Sequence, residues 1–361
     1  MAALVSVIMP CLNAGERLRP ALASVLAQTW ADLEVVFVDN NSTDGSLDAA
    51  RAMLADGGRP FQIATCPAQG VNHARNHGYG LASGAFIQWL DADDEIAPDK
   101  IALQVAALEA RPDADIAYGD WIEQRFSPSG PQPPRRHELA PVSDQVARTL
   151  ATVWYPPHLY LLRRAAAGRL QDAQAWWPGR PVATDIEYSA LAALMGCRFL
   201  HVKGAEATYN IWSDSQISGS TPYRLRAETH AAIFARLRET PPGFGVTLTP
   251  RHRLLMDQAW DSCWRLPRNA VAIEKLPGRR FRLRRRETGK SLEVRPRDAA
   301  VVQALMNMPV AMVTCHLALM LADTVPEVGG DHATGLEALQ RLQAQGFLDR
   351  VAFGDGGPPP A

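Results

Sequence analysis

The chain has 361 residues, more than one hydrophobic core ordinarily organises, so about two domains are expected. Hydrophobic residues make up 47% and charged residues 21%, the balance of a folded globular protein, and a formal net charge of -1 removes any bulk attraction to nucleic acid or anionic membrane. The five cysteines (Cys11, Cys66, Cys197, Cys263, Cys315) are scattered and form no C-x-x-C pair, which argues against a disulfide framework or a zinc site and fits a reducing cytoplasm.

MAALVSVIMP has no basic region ahead of its short apolar run and reads as a strand rather than a signal peptide. The β-branched run 5–9 suits a strand buried on both faces. Residues 16–28 place Leu18, Leu22, Val25 and Leu26 at helical spacing. A second buried strand, 34–38, ends in Asp39. Turn residues 40–45 follow, with Asp44 placed to cap a helix reaching about Leu54. Residues 61–65 predict a strand, 72–83 a helix despite their glycines, and 85–90 a strand running directly into Asp91-Ala-Asp-Asp94. This alternation predicts an α/β fold: a mixed, mostly parallel sheet with helices on both faces. Ligands bind such sheets beyond the carboxyl ends of the strands, where Asp39 and Asp91 both fall.

Residues 127–141, rich in Pro, Ser and Gly, predict a surface loop, and 184–195 a helix opening near Asp185. Residues 224–238 and 251–264 look like amphipathic helices. Residues 281–286 and 291–295 flank Glu287-Thr-Gly-Lys290 as a hairpin, and helices are expected at 298–308, 311–323 and 335–345. The apolar stretch 309–325 is interrupted by His316 and Asp323 and is short for a bilayer, so no membrane span is expected. The tail 353–361 should be disordered.

The strongest chemical signal is Trp89-Leu-Asp-Ala-Asp-Asp94. Three carboxylates this close repel one another unless a cation joins them, and a hard divalent ion such as Mg²⁺ or Mn²⁺ is the natural partner. Such an ion can bridge carboxylate and diphosphate oxygens. The alternative is that these acids merely cap a helix starting near Pro98.

Five stretches, in order, resemble the family 2 glycosyltransferases, which have a GT-A fold. They are VSVIMPCLNAGERL (5–18), SVLAQTW (24–30), VVFVDNNSTDGS (35–46), GVNHARNHGYGLASGAFIQWLDADD (70–94) and TDIEYSALAALMG (184–196). The resemblance implies a metal-dependent, inverting transfer of sugar from a nucleotide-sugar. It places Pro10 and the backbone near Leu12 beside the base, with Asp39 and Asn40 at the base-binding position and Arg75 by the nucleotide. Asp91 would contact ribose or metal, Asp93 would be the main metal ligand, and Asp94 is a further candidate. Asn40 departs from the paired acids of many relatives, so UDP-, dTDP- and GDP-sugars all stay open. Asp185 matches the catalytic base, with Thr184 where relatives often carry Glu and Glu187 as an understudy; helix capping is its bland alternative. Trp176 and Trp177 could hold an acceptor or pack in the core, and His158 reads as structural. No Q-x-x-R-W motif is present, which points to non-processive transfer to a peptide, saccharide or small molecule.

The expected division is a GT-A domain (1–230), a helical linker (231–274), a winged-helix-like accessory domain (275–352) and the tail. The accessory segment also loosely resembles peptide-recognition domains, and its arginine run 279–286 could attract an acidic peptide or only keep an edge strand soluble. Nucleic acid is not an expected partner. Against the enzyme stands a catalytically lapsed scaffold that binds a peptide or partner through its C-terminal domain; Thr184 is the feature favouring it.

Overall fold

The structure is a computed structural model that describes residues 3–151, 155–180, 182–212, 223–239, 245–256, 262–265, 270–278, 280–306, 312–313 and 332–352. The chain divides into two units, one of Met1–Ser143 with Trp154–Ser220, the other of Asp144–Val153 with Thr221–Ala361.

In chain order the first unit contains β1 (Val5–Cys11), α1 (Leu18–Leu26), β2 (Leu33–Asp39), α2 (Ser46–Asp56), β3 (Phe61–Thr65), α3 (Val71–Leu81), β4 (Phe86–Trp89), β5 (Glu95–Ile96), α4 (Lys100–Ala110), β6 (Ile116–Tyr118), β7 (Trp121–Ser127), β8 (Gly130–Pro131) and β9 (Arg135–His137). After α5 (Gln145–Leu150), which belongs to the second unit, come β10 (Leu161–Arg163), α6 (Arg164–Asp172), α7 (Thr184–Leu194), β11 (Phe199–His201) and β12 (Ala207–Trp212). Seven strands form the main sheet in the order β11-β6-β10-β4-β1-β2-β3. The pairs β1–β2, β1–β4, β2–β3 and β11–β6 are parallel, and β10 runs antiparallel between β4 and β6. The mixed, mostly parallel sheet is therefore present.

Burial explains the unbroken apolar runs. Val5, Val7, Ile8 and Val35 to Val38 have no exposed surface, as expected of central strands covered on both faces. One glycine of α3, Gly78, serves the same packing. A Cβ on Gly78 would stand 2.5 Å from Ile8 Cγ2 and 3.0 Å from Val38 Cγ2, so its absence lets the helix lie close to β1 and β2. A second sheet, β5-β12-β7-β8 with β9 also on β7, flanks the acidic motif.

The expected loop at 127–141 is partly strand. Gly130, at φ 110, turns the chain back so that β8 and β9 both pair with β7, and His137 stacks on Trp121 at 4.1 Å. The Pro and Gly content marked the turns but not the short strands between them.

The second unit adds α8 (Tyr223–Glu239), α9 (Pro250–Met256), β13 (Ser262–Arg265), β14 (Val271–Leu276), β15 (Arg280–Arg285), β16 (Ser291–Val294), α10 (Pro296–Met306), β17 (Met312–Val313), α11 (His332–Ala344) and β18 (Asp349–Ala352). Of the helix expected over 251–264, residues 251–256 are helical, 262–264 belong to β13, and 257–261 lie outside the described residues. Of the helix expected over 311–323, residues 312–313 are strand, and the rest lies outside the described residues, as does the tail 353–361. The predicted hairpin exists as β15–β16, but β14 adds a third strand, and β17-β13-β18 form another antiparallel sheet. This arrangement gives no support to a winged helix. The arginine run occupies a central strand rather than an edge. Arg280 pairs with Glu293 at 3.2 Å, and Arg282 with Glu274 at 3.3 Å and Glu293 at 3.4 Å, so two cross-strand acids offset part of its charge. Nothing in that ladder supports peptide recognition. No helix among the described residues is long and apolar enough to cross a membrane.

Candidate active site

The acidic motif begins where β4 leaves the sheet. Leu90 N donates to Ile8 O at 3.0 Å, and Asp94 N to Asp91 O at 3.2 Å, folding the motif into a tight turn. The helix-cap alternative does not hold. The short strand β5 intervenes, and α4 starts at Lys100 behind Asp99, with no side-chain cap.

The three acids have different surroundings. Asp94 is buried; its Oδ1 accepts from Asn210 N at 2.8 Å, and its Oδ2 lies 3.1 Å from His158 Nδ1. Burial and the charge of Asp91 push the Asp94 carboxyl well above its ordinary range, and burial drives His158 down to about 3. Burial thus favours the uncharged form of each, and Asn210 anchors the turn, its Nδ2 donating to Asp93 O at 2.8 Å. Asp91 is ion-paired, its Oδ1 accepting from Arg75 Nη2 at 2.7 Å, and remains 29% exposed. Asp93 is half-buried, and no side-chain ion pair joins it among the described residues. Burial, then Asp94 and Asp91, raise its carboxyl to about 7. A carboxylate in that state gains from an added cation. No cluster of three or more His, Cys, Asp or Glu side chains is preassembled as a metal cage among the described residues. Asp93 and Asp91 thus fit an open site where a hard divalent ion takes its remaining oxygens from ligand and water.

The neighbouring rim is held by side chain to backbone bonds. Asp39 accepts from Asn41 N and Ser42 N, both at 3.2 Å. Asn40 donates to Cys66 O (3.0 Å) and Ala68 O (2.7 Å) and accepts from Gly70 N (2.7 Å), so its amide joins the loops after β2 and β3. Pro10 is buried at the end of β1, whereas Leu12 is exposed beyond it. Asn13 accepts from Thr43 N at 2.8 Å, and Asp44 accepts from both Gly15 N (2.8 Å) and Ser46 N (3.0 Å).

Opposite the motif, α7 presents Asp185 in its first turn. Ala183, left-handed at φ 57, occupies the cap position, and no side chain caps the helix. Asp185 is therefore not used as a cap. Burial raises its carboxyl to about 7, against the pull of Arg75 and with the push of Asp91, so all three share one electrostatic field. Arg75 is itself buried, not a surface ion pair: its guanidinium lies 4.2 Å over Trp176 and its Nη1 is 3.4 Å from Thr184 Oγ1. Glu187 has no exposed surface and pairs with Arg180 at 3.0 Å. Trp176 packs in the core, stacked on Tyr188 at 4.1 Å and edge-on to Trp89 at 5.6 Å, whereas Trp177 is half-buried. Asn210 and the His158–Asp94 pairing were not legible in the sequence; nothing local signals that β12 passes the motif.

Residues 6–170 match the family model described as glycosyl transferase family 2. Over these residues, a little under half of its length, the chain is similar to that family. It is 34% identical over 117 residues to the uncharacterized glycosyltransferase YibD of Escherichia coli (strain K12), covering 32% of this chain and 34% of that protein. It is 37% identical over 122 residues to a PGL/p-HBAD biosynthesis glycosyltransferase of Mycobacterium bovis (strain BCG / Pasteur 1173P2), covering 34% and 48%. The match thus spans between a third and about half the length of these curated relatives. In fold the chain is similar to S. aureus TarS 1-349 in complex with UDP-GlcNAc, with a TM-score of 0.54 at 16% identity over 98% of both chains. The same residues in complex with UDP give a TM-score of 0.52. The mixed α/β sheet with its flanking helices is thus consistent with the GT-A architecture expected of it.

Proposed function

We propose that the chain transfers one sugar, without processivity, from a nucleotide-sugar (UDP-, dTDP- or GDP-linked) to a peptide, saccharide or small-molecule acceptor, with Mn²⁺ or Mg²⁺ and inversion at the anomeric carbon. The observation that carries this reading is that buried Arg75 joins Asp91 of the acidic motif to Thr184, beside Asp185 at the uncapped start of α7, while Asp93 has no side-chain ion pair among the described residues. Asp93 and Asp91 would hold the metal, which supplies charge neutralisation at the diphosphate. Pro10, the Leu12 backbone, Asp39, Asn40 and Arg75 would border the nucleotide, with Asp39 and Asn40 shaping the base pocket through the turns they fix. Asp94 contributes by anchoring the turn rather than as a ligand, since Asn210 and His158 occupy its oxygens.

Asp185 would accept the acceptor's proton as the nucleophile forms its bond to the anomeric carbon and the bond to the diphosphate oxygen breaks on the opposite face. Its raised proton affinity suits a base working near neutral pH. The scaffold reading rests on Thr184, but Thr184 here faces Arg75 without displacing Asp185. The test is nucleotide release from a panel of UDP-, dTDP- and GDP-sugars with Mn²⁺. Turnover of one donor that is lost on chelation and in Asp93→Ala supports the enzyme; absence of both binding and turnover across the panel overturns it.

A further inference from the structure

Beyond the acids, the loop after β1 and the end of β12 line an open cleft of about 550 Å³, formed by residues 13–17, Pro20 and Trp212. Its walls are fixed. Asn13 and Gly15 are bonded to Ser42, Thr43, Asp44 and Ser46 of the turn leading into α2. Two residues before Trp212, Asn210 ties β12 to the acidic motif. The indole of Trp212 is covered by Phe126, stacked at 3.8 Å and 8°, and Arg17 Cζ lies 4.7 Å from the indole centroid. With Phe126 and Arg17 packed on it, the indole is not an open platform for a sugar or base. It serves to hold a guanidinium against the cleft.

We propose that Arg17 is a phosphate-binding residue of this site, set on the Trp212–Phe126 stack to fork onto the diphosphate of a nucleoside diphosphate or nucleotide-sugar. The inference rests on the reading of the site as a nucleotide-sugar transferase and adds a residue to it. The chemistry fits in two ways. Clustered carboxylates repel a diphosphate, and a guanidinium supplies paired N–H donors that match paired phosphate oxygens, already oriented by the aromatic stack. Arg17 also stands on the strand that meets the acids: Asn210 bonds Asp94 Oδ1 and Asp93 O, and Trp212, two residues along the same side of β12, carries the guanidinium.

The test is calorimetric titration of wild type, Arg17→Ala and Arg17→Lys with UDP, dTDP and GDP in Mn²⁺, and with the matching nucleosides. Arg17→Ala should weaken the diphosphate that wild type binds by about 10- to 100-fold and leave its nucleoside unchanged; Arg17→Lys, which keeps charge but loses the fork, should fall between. Equal diphosphate affinity in wild type and both variants overturns the role of Arg17 while leaving the transferase reading intact. Parallel loss of nucleoside binding with a lowered Tm marks Arg17 as structural and also overturns it. If wild type binds none of the three diphosphates, the transferase reading fails and this inference with it. Should Arg17→Ala not fold, Arg17→Lys alone decides, by unchanged or weakened diphosphate binding.

Discussion

Arg75 and Asp91, joined at 2.7 Å, bring the acidic motif and the start of α7 under one cation. The same guanidinium lies over Trp176 and reaches Thr184 Oγ1, so α3, the end of β4 and the helix carrying Asp185 are tied through a single buried side chain. An ion pair of this kind defines geometry more than it adds stability, because desolvating the cation offsets much of the Coulomb gain.

Breaking that pair from one side should therefore be costly. Arg75→Met leaves Asp91 uncompensated beside Asp93 and Asp94 and removes the cation that favours ionised Asp185. A stability loss of about 2–4 kcal/mol is expected, below the full figure for a dry pair because Asp91 keeps contact with water. Adding Asp91→Asn should recover part of the stability and none of the activity. Urea unfolding of the two single variants and the double variant measures this; equal stability of Arg75→Met and wild type would show the pair to be energetically idle.

Asp93 should trade stability for function. Its folded-state proton affinity, near 7, stands above the ordinary carboxylate value of 3.8, so the folded state holds this proton more tightly than the unfolded chain. That contribution is fully present below about pH 4 and is lost as pH rises through 7. At pH 8, Asp93→Asn should consequently raise Tm by several degrees, with the gain fading towards pH 4, while abolishing turnover. Mn²⁺ should raise the Tm of wild type and not of Asp93→Asn, since a ligand stabilises only the state that binds it. A cation-induced shift of the same size in both proteins would locate the metal elsewhere.

The parts of this architecture that were legible in the sequence are those written in short-range pattern. Continuous apolar runs gave β1 and β2, and the strand running into Asp91 placed the acids at a sheet rim. The parts not legible depend on residues far apart in sequence. Asp94 reads in the sequence as a further candidate beside Asp91 and Asp93, yet its Oδ1 accepts from Asn210 N, more than a hundred residues on. Trp176 and Trp177 looked alike as neighbours, but only Trp176 meets Trp89 and Tyr188. In the second unit, β13 and β18 pair across some ninety residues, a separation that no local periodicity reports.

Glu187 is expected to be structural. It is fully buried and its Oε2 accepts from Arg180 Nε at 3.0 Å, so removing its charge weakens a buried ion pair. Glu187→Gln should destabilise by about 1–3 kcal/mol and keep the wild-type shape of the pH–rate profile. Loss of the rising limb of that profile in Glu187→Gln would reassign the base to it.

Asp185 is where the pH dependence should originate. Burial is the main cause of its raised proton affinity, with Arg75 opposing and Asp91 reinforcing, and the balance sets the carboxyl near 7. A base must be ionised to accept a proton, so kcat/KM should rise with pH through about 7 and level off above it. Asp185→Asn should lower the rate by about 10²- to 10⁴-fold and flatten that limb. Arg75→Met, which removes the cation favouring the charged form, should move the limb to higher pH in an otherwise intact base. Asp93 titrates in the same range, so the two acids must be separated: saturating Mn²⁺ displaces the proton of a metal ligand and should leave the Asp185 limb in place. A limb that survives in Asp185→Asn but vanishes in saturating Mn²⁺ would assign the titration to Asp93 and remove Asp185 from the base role.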